Sequence, residues 1–113
     1  MTNYQNRKVE LRNQKLDSGI RSALDAWIDR LGDLHLDGQD LGLPPGMMGH
    51  DDEYEYFKTI AASDVPALVT LLGGEPGEEV LDLLARDWTG DRSFALERLL
   101  RDKAPFRIQF HSC

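Results

Sequence analysis

Period-two alternation of apolar and polar residues recurs in three stretches of this chain, and a 3.6-residue period fills the segment between the second and the third. In Arg7-Lys8-Val9-Glu10-Leu11-Arg12 the apolar Val9 and Leu11 fall on one face and charges on the other, which predicts a half-buried strand. Its basic residues suit a sheet edge, where charge discourages pairing with other chains. Glu53-Tyr54-Glu55-Tyr56-Phe57-Lys58-Thr59-Ile60-Ala61 is the clearest strand. Tyr54, Tyr56 and Ile60 share one of its faces; Phe57, Thr59 and Ala61 share the other. Apolar residues on both faces predict a central strand, covered at least in part on each side. Phe106-Arg107-Ile108-Gln109-Phe110 alternates again, with three apolar residues inward, and reads as a closing strand.

Three helices are predicted before that last strand. Ser63-Asp64-Val65-Pro66 opens the first, with a capping residue, an acid in the first turn and a proline early enough to be tolerated. Val65, Leu68, Val69, Leu71 and Leu72 form its apolar face, and Gly73-Gly74 ends it. Glu78 to Trp88 is the second, with Val80, Leu81, Leu83, Leu84 and Trp88 inward; Gly90 breaks it. Asp91-Arg92-Ser93 starts the third, which buries Phe94, Leu96, Leu99 and Leu100, pairs Glu97 with Arg101 at i, i+4, and stops at Pro105.

Residues 18–37 fit two templates. Ile20, Ala23, Leu24, Trp27, Ile28 and Leu31 form a helical stripe, with Asp17 or Ser18 as cap and Gly32 as terminator. Ser22, Leu24, Ala26 and Ile28 also lie at period two, with a turn at Gly32-Asp33 and Leu34-His35-Leu36 returning as a strand. The template count favours the helix. A three-residue strand needs a neighbour, which favours the hairpin, and the hairpin is preferred here. Either reading leaves Asp25, Asp29, Asp33 and Asp37 largely solvated. Asp37-Gly38 then reads as a turn into a Gly- and Pro-rich loop that extends to His50-Asp51-Asp52. The expected fold is α+β, one domain over residues 1–113: a small, mostly antiparallel sheet of four or five strands, packed against two or three helices from the C-terminal half.

Charge sharpens the picture. The net charge is -7, and Leu16 to Glu55 alone holds ten carboxylates against two arginines. Such a field attracts basic partners and repels nucleic acid and anionic membranes. No apolar run approaches the roughly 20 residues a membrane helix needs. The opening residues have no apolar stretch of the secretory kind, and a single cysteine, Cys113, suits a reducing cytoplasm. Gly73-Gly74-Glu75-Pro76-Gly77 lacks the Lys-Ser/Thr ending of a phosphate loop and reads as a helix–helix turn.

Candidate chemistry is sparse. Asp33-Leu34-His35-Leu36-Asp37-Gly38 overlaps the start of a calcium loop, but a His stands among its oxygen positions and Pro44 occupies the twelfth. On a strand, Asp33, His35 and Asp37 would still share a side. His50-Asp51-Asp52-Glu53 pairs an imidazole with carboxylates, though consecutive loop residues rarely converge on one point. His111-Ser112-Cys113 has a thiol at the chain end, without the environment that activates one. No cofactor, metal or catalytic activity is expected, although scattered carboxylates are the one route by which an enzyme site could be assembled.

The pattern fits a protein that binds by occlusion: acidic, small, docking on a basic partner such as a toxin, with fast electrostatic capture and aromatic anchoring. In size, charge and lack of motifs the chain resembles bacterial immunity proteins, and that resemblance implies a cationic toxin or enzyme as partner. The expected contact residues are Asp37, Asp40, Asp51, Asp52, Glu53 and Glu55, with Tyr54 or Trp27 as anchor. The alternative is a homodimeric regulatory or scaffolding domain whose acid only solubilises.

Overall fold

The computed structural model describes residues 7–42 and 53–112. Its sheet is a five-stranded antiparallel meander in the order β1-β2-β3-β4-β5: β1 Lys8–Lys15, β2 Arg21–Ile28, β3 Leu34–Leu41, β4 Glu53–Ile60 and β5 Gln109–Ser112. A 3-10 turn over Ala62–Asp64 leads into α1 (Val65–Leu71), then α2 (Val80–Asp87) and α3 (Asp91–Lys103), before the chain returns to pair β5 with β4. The α+β architecture is the expected one.

Residues 18–37 fold as the hairpin. Ser22, Leu24 and Ala26 are buried, whereas Leu31, a member of the competing helical stripe, is 81% exposed. The connecting turn is set by Asp29: its carboxylate accepts from the amides of Leu31 and Asp33, while Gly32 takes the positive φ that the reversal needs. Asp33 in turn accepts from the amide of Ala62 at 2.8 Å, tying the hairpin to the 3-10 turn. These two aspartates are therefore structural acceptors, not the solvated side chains the sequence suggests.

Gly38 is a second departure. Asp37-Gly38 does not turn; β3 runs straight through it to Leu41, pairing Gly38 with Tyr56. A Cβ at Gly38 would fall inside the Tyr56 ring. The glycine is there to seat an aromatic side chain, a cross-strand demand that a local reading of Asp-Gly does not see.

A bulge between Glu10 and Arg12 in β1 puts Leu11 and Arg12 both on the inner face, 1% and 3% exposed. Strict alternation had assigned Arg12 to solvent. The core joins these strands to the helices through Leu11, Leu24, Leu36, Ile60, Leu68, Leu83, Leu84 and Leu96, each worth about 1.5–3 kcal/mol when fully buried. α2 is capped by Glu79, whose carboxylate accepts from Leu81 and Asp82 amides; α1 has no side-chain cap despite its Ser63-Asp64 signal. Glu97 does not pair with Arg101, because Arg12 and Lys58 claim it and Arg101 bonds to Asp102. β5 begins at Gln109, later than its alternation predicts, and the Phe106–Phe110 side chains are half-buried or exposed.

Candidate functional site

All three helices lie on one face of the sheet, and among the described residues nothing covers the other. β4 is an interior strand as expected, and on this face Phe57 and Thr59 are half-buried by neighbouring side chains of the sheet rather than by a second layer. Strand parity and register decide which residues stand on the open face. One row across the strands runs Lys8, Trp27, His35, Thr59, Gln109; the next runs Glu10, Asp25, Asp37, Phe57, His111; a third carries Ala23, Gln39 and Glu55.

The middle of that face is ordered by mutual contacts. The His35 ring stacks on Trp27 with centroids 4.2 Å apart, and Trp27 Nε1 donates to Asp37 at 2.8 Å. His35 Nε2 lies 2.7 Å from Asp29 Oδ2 and its Nδ1 3.2 Å from Thr59 Oγ1, so both ring nitrogens are held. Phe57 stacks on His111 at 6.1 Å. Asp29, bonded to His35 and to two amides, has its carboxyl held below the usual range.

Around these rings stand carboxylates. Glu10, Asp25 and Asp37 are successive neighbours across β1, β2 and β3. Desolvation pushes the Asp25 carboxyl up; Lys8 opposes that, while Glu10 and Asp37 add to it. Glu53 and Glu55 extend the negative charge along β4, Glu53 accepting from Gln39. None of Glu10, Asp25, Asp37, Glu53 and Glu55 forms an ion pair among the described residues. Among the cations of this face, Lys8, Lys15 and Arg21 sit toward the β1 edge and the strand ends, and Arg107 lies at the β5 side, sharing a small pocket with Asp33, Thr59 and Gln109.

Of the contact residues expected from sequence, Trp27, Asp37, Glu53 and Glu55 therefore come together on one surface. Asp40 and Tyr54 do not: they share the parity of Tyr56 and face the helices. Tyr54 stacks on Tyr56 at 5.7 Å, and Asp40 accepts from Ser22 Oγ at 2.7 Å. Asp51 and Asp52, with His50 and Cys113, lie outside the described residues. Sequence reasoning puts His35 on one side with Asp37 but does not name Asp25 or Phe57 as contact residues of this face, although period-two spacing from Trp27 and from Glu55 would have placed them.

A polar cluster crosses the inner side. Arg12 donates to Ser22 (3.0 Å), Ser93 (3.0 Å) and Tyr56 (3.1 Å), and pairs with Glu97 at 2.9 Å, its guanidinium resting 3.9 Å above Phe94. Tyr56 Oη donates to Glu97 at 2.8 Å, and burial together with that carboxylate drives the phenol well above its usual value. Every member has a partner, so the cluster joins β1, β2, β4 and α3 as a structural unit.

The Asp33, His35, Asp37 series is engaged elsewhere, with Ala62, Asp29 and Trp27 respectively. Among the described residues no group of three or more His, Cys, Asp or Glu is placed to hold a metal ion. Comparison with family models, with curated proteins and with solved structures returned no match.

Proposed function

We propose that the open sheet face docks on a basic protein, and that the chain is a small acidic binding domain of the cytoplasm that occludes its partner's functional surface rather than performing chemistry of its own. In an immunity-type role that partner is a cationic toxin or enzyme. One observation carries the reading: Trp27 and Phe57 stand on an open sheet face beside Asp25, Asp37, Glu53 and Glu55, and none of these carboxylates forms an ion pair among the described residues, Asp25 feeling only the neighbouring charge of Lys8. Aromatic anchors give an interface its energy, and unpaired charge of one sign gives it rate and selectivity. A purely solubilising surface gains nothing from two large rings in its middle.

The test compares the natural chain with a Glu53→Lys/Glu55→Lys variant and a Trp27→Ala variant as baits in the host's own extract. A basic protein should be retained by the natural chain and released by salt. It should be lost from the charge-reversed bait and weakened on the Trp27→Ala bait. Identical retention by all three would defeat the proposal.

A second reading, a homodimeric regulatory domain, has support from the sheet's other edge. β1 guards its edge with Lys8, Lys15 and a bulge, but β5 is Gln109-Phe110-His111-Ser112, with neither charge nor bulge. A tight, salt-insensitive dimer in sedimentation would favour it.

A further inference from the structure

The alternation Phe106-Ile108-Phe110 is that of a strand with one face buried, yet the fold covers it only in part: Phe110 is 57% exposed, and Phe106 and Ile108 are half-buried against the core. These side chains line one wall of a groove of about 630 Å³ whose other wall is α3. The volume lies within the usual range for a small-molecule site, as does a lining mainly apolar and aromatic with a few polar groups. Those polar groups are mostly cations, in a chain whose net charge is -7: Lys58, Arg98 and Arg101 reach the groove, with Glu97.

The charges there do not cancel. Glu97 is shared between Arg12 at 2.9 Å and Lys58 at 3.6 Å, so one carboxylate serves two guarded cations. The Lys58 side chain is only 17% exposed. Arg101 is occupied by Asp102, and Arg98, exposed on α3, makes no ion pair among the described residues. A partly buried lysine with half a counterion, next to an arginine that makes no ion pair and feels only the neighbouring Asp102, and beside a partly covered apolar wall, is complementary to one negative charge on an apolar body.

We propose that this groove binds an amphiphile with a single carboxylate head, its apolar chain lying along Phe106, Ile108 and Phe110 and its head between Lys58 and Arg98. A second copy of the chain is a poorer occupant. A two-fold contact sets the same patch against itself and would bring Arg98 toward Arg98. The site lies on the opposite side of the sheet from the acidic face, so it does not depend on the protein-docking proposal.

The test titrates the full chain by calorimetry with decanoate, decanol and decyltrimethylammonium, each kept below micelle formation. Decanoate should bind saturably with one site per chain, and the cationic analogue at least about tenfold more weakly, since it loses the charge-assisted hydrogen bonds to Lys58 and Arg98 and meets like charge instead. Arg98→Glu, an exposed change that leaves the core intact, should weaken decanoate about tenfold or more and spare decanol. Phe110→Ser should weaken all three. No saturable decanoate binding, or equal binding of decanoate and decanol with no effect of Arg98→Glu, would overturn the proposal. So would tighter binding of a short peptide ending in Leu-Phe carboxylate than of decanoate, which would mark a peptide site instead.

Discussion

Arg12 offers the sharpest test of how this fold is held together. Arg12→Met keeps most of the side-chain volume and removes the guanidinium. Three hydrogen bonds are lost, to Ser22, Ser93 and Tyr56, together with the 2.9 Å ion pair to Glu97. The site is 3% exposed, so water cannot replace them. Glu97 keeps the Tyr56 hydroxyl and the more distant Lys58, which softens the loss without erasing it. Breaking one partner of a buried pair costs about 3–5 kcal/mol. Three bonds from a charged donor, at about 1.5 kcal/mol each, give the same scale. Against a typical domain stability of about 5–15 kcal/mol this is a large fraction. With a urea slope of about 2 kcal/mol per molar, the midpoint should fall by about 2 M. The double variant Arg12→Met/Glu97→Met should cost clearly less than the sum of the two single changes, because the Arg12–Glu97 interaction is lost in each single change and counted once in the double, although Lys58 also loses its carboxylate. A single-variant loss below about 1 kcal/mol, or strict additivity in the double, would refute the claim that the pair acts as a buried unit.

Gly38→Ala should lower the thermal midpoint. An ordinary strand glycine gains about 0.5–1 kcal/mol from alanine, whereas here overpacking against Tyr56 should cost about 1–3 kcal/mol, so even the sign is diagnostic. Asp25 should show an inverted pH dependence. Its folded carboxyl is raised by desolvation, so it opposes folding above its folded pKa, and that opposition fades as pH falls through it. Asp25→Asn should then be more stable than the natural chain at neutral pH, with the gap closing in acid; urea midpoints measured across that range check it. Asp29 should run the other way: its depressed carboxyl stabilises the fold above the unfolded value and loses that effect as pH drops.

The sequence carries the elements well and their partners poorly. The α2 apolar stripe and the β4 alternation are local patterns, readable from spacing, whereas the hairpin is preferred over a helical stripe only because Leu34-His35-Leu36 needs a neighbour, and its second strand runs on past Gly38 to Leu41. Arg12, Gly38 and Glu97 are not local. The arginine turns inward through a bulge, the glycine answers to a tyrosine on the next strand, and the glutamate answers to two other strands. The acidic cluster shows the same limit. Linear charge density does not say which side of a strand each carboxylate takes, and an odd spacing of three residues sends Asp40 inward while Asp37 stays out.

That same alternation separates the two proposed surfaces. Along β4, Glu55 and Phe57 stand on the open face while Tyr56 and Lys58 stand on the helix side. Changing Glu53, Glu55 or Trp27 touches no group that lines the groove, and changing Arg98 or Phe110 touches none on the acidic face. The faces also carry opposite charge, so a cationic protein and an anionic amphiphile do not compete for one surface. Loss of protein capture with decanoate binding intact, or the reverse, therefore assigns each failure to its own face.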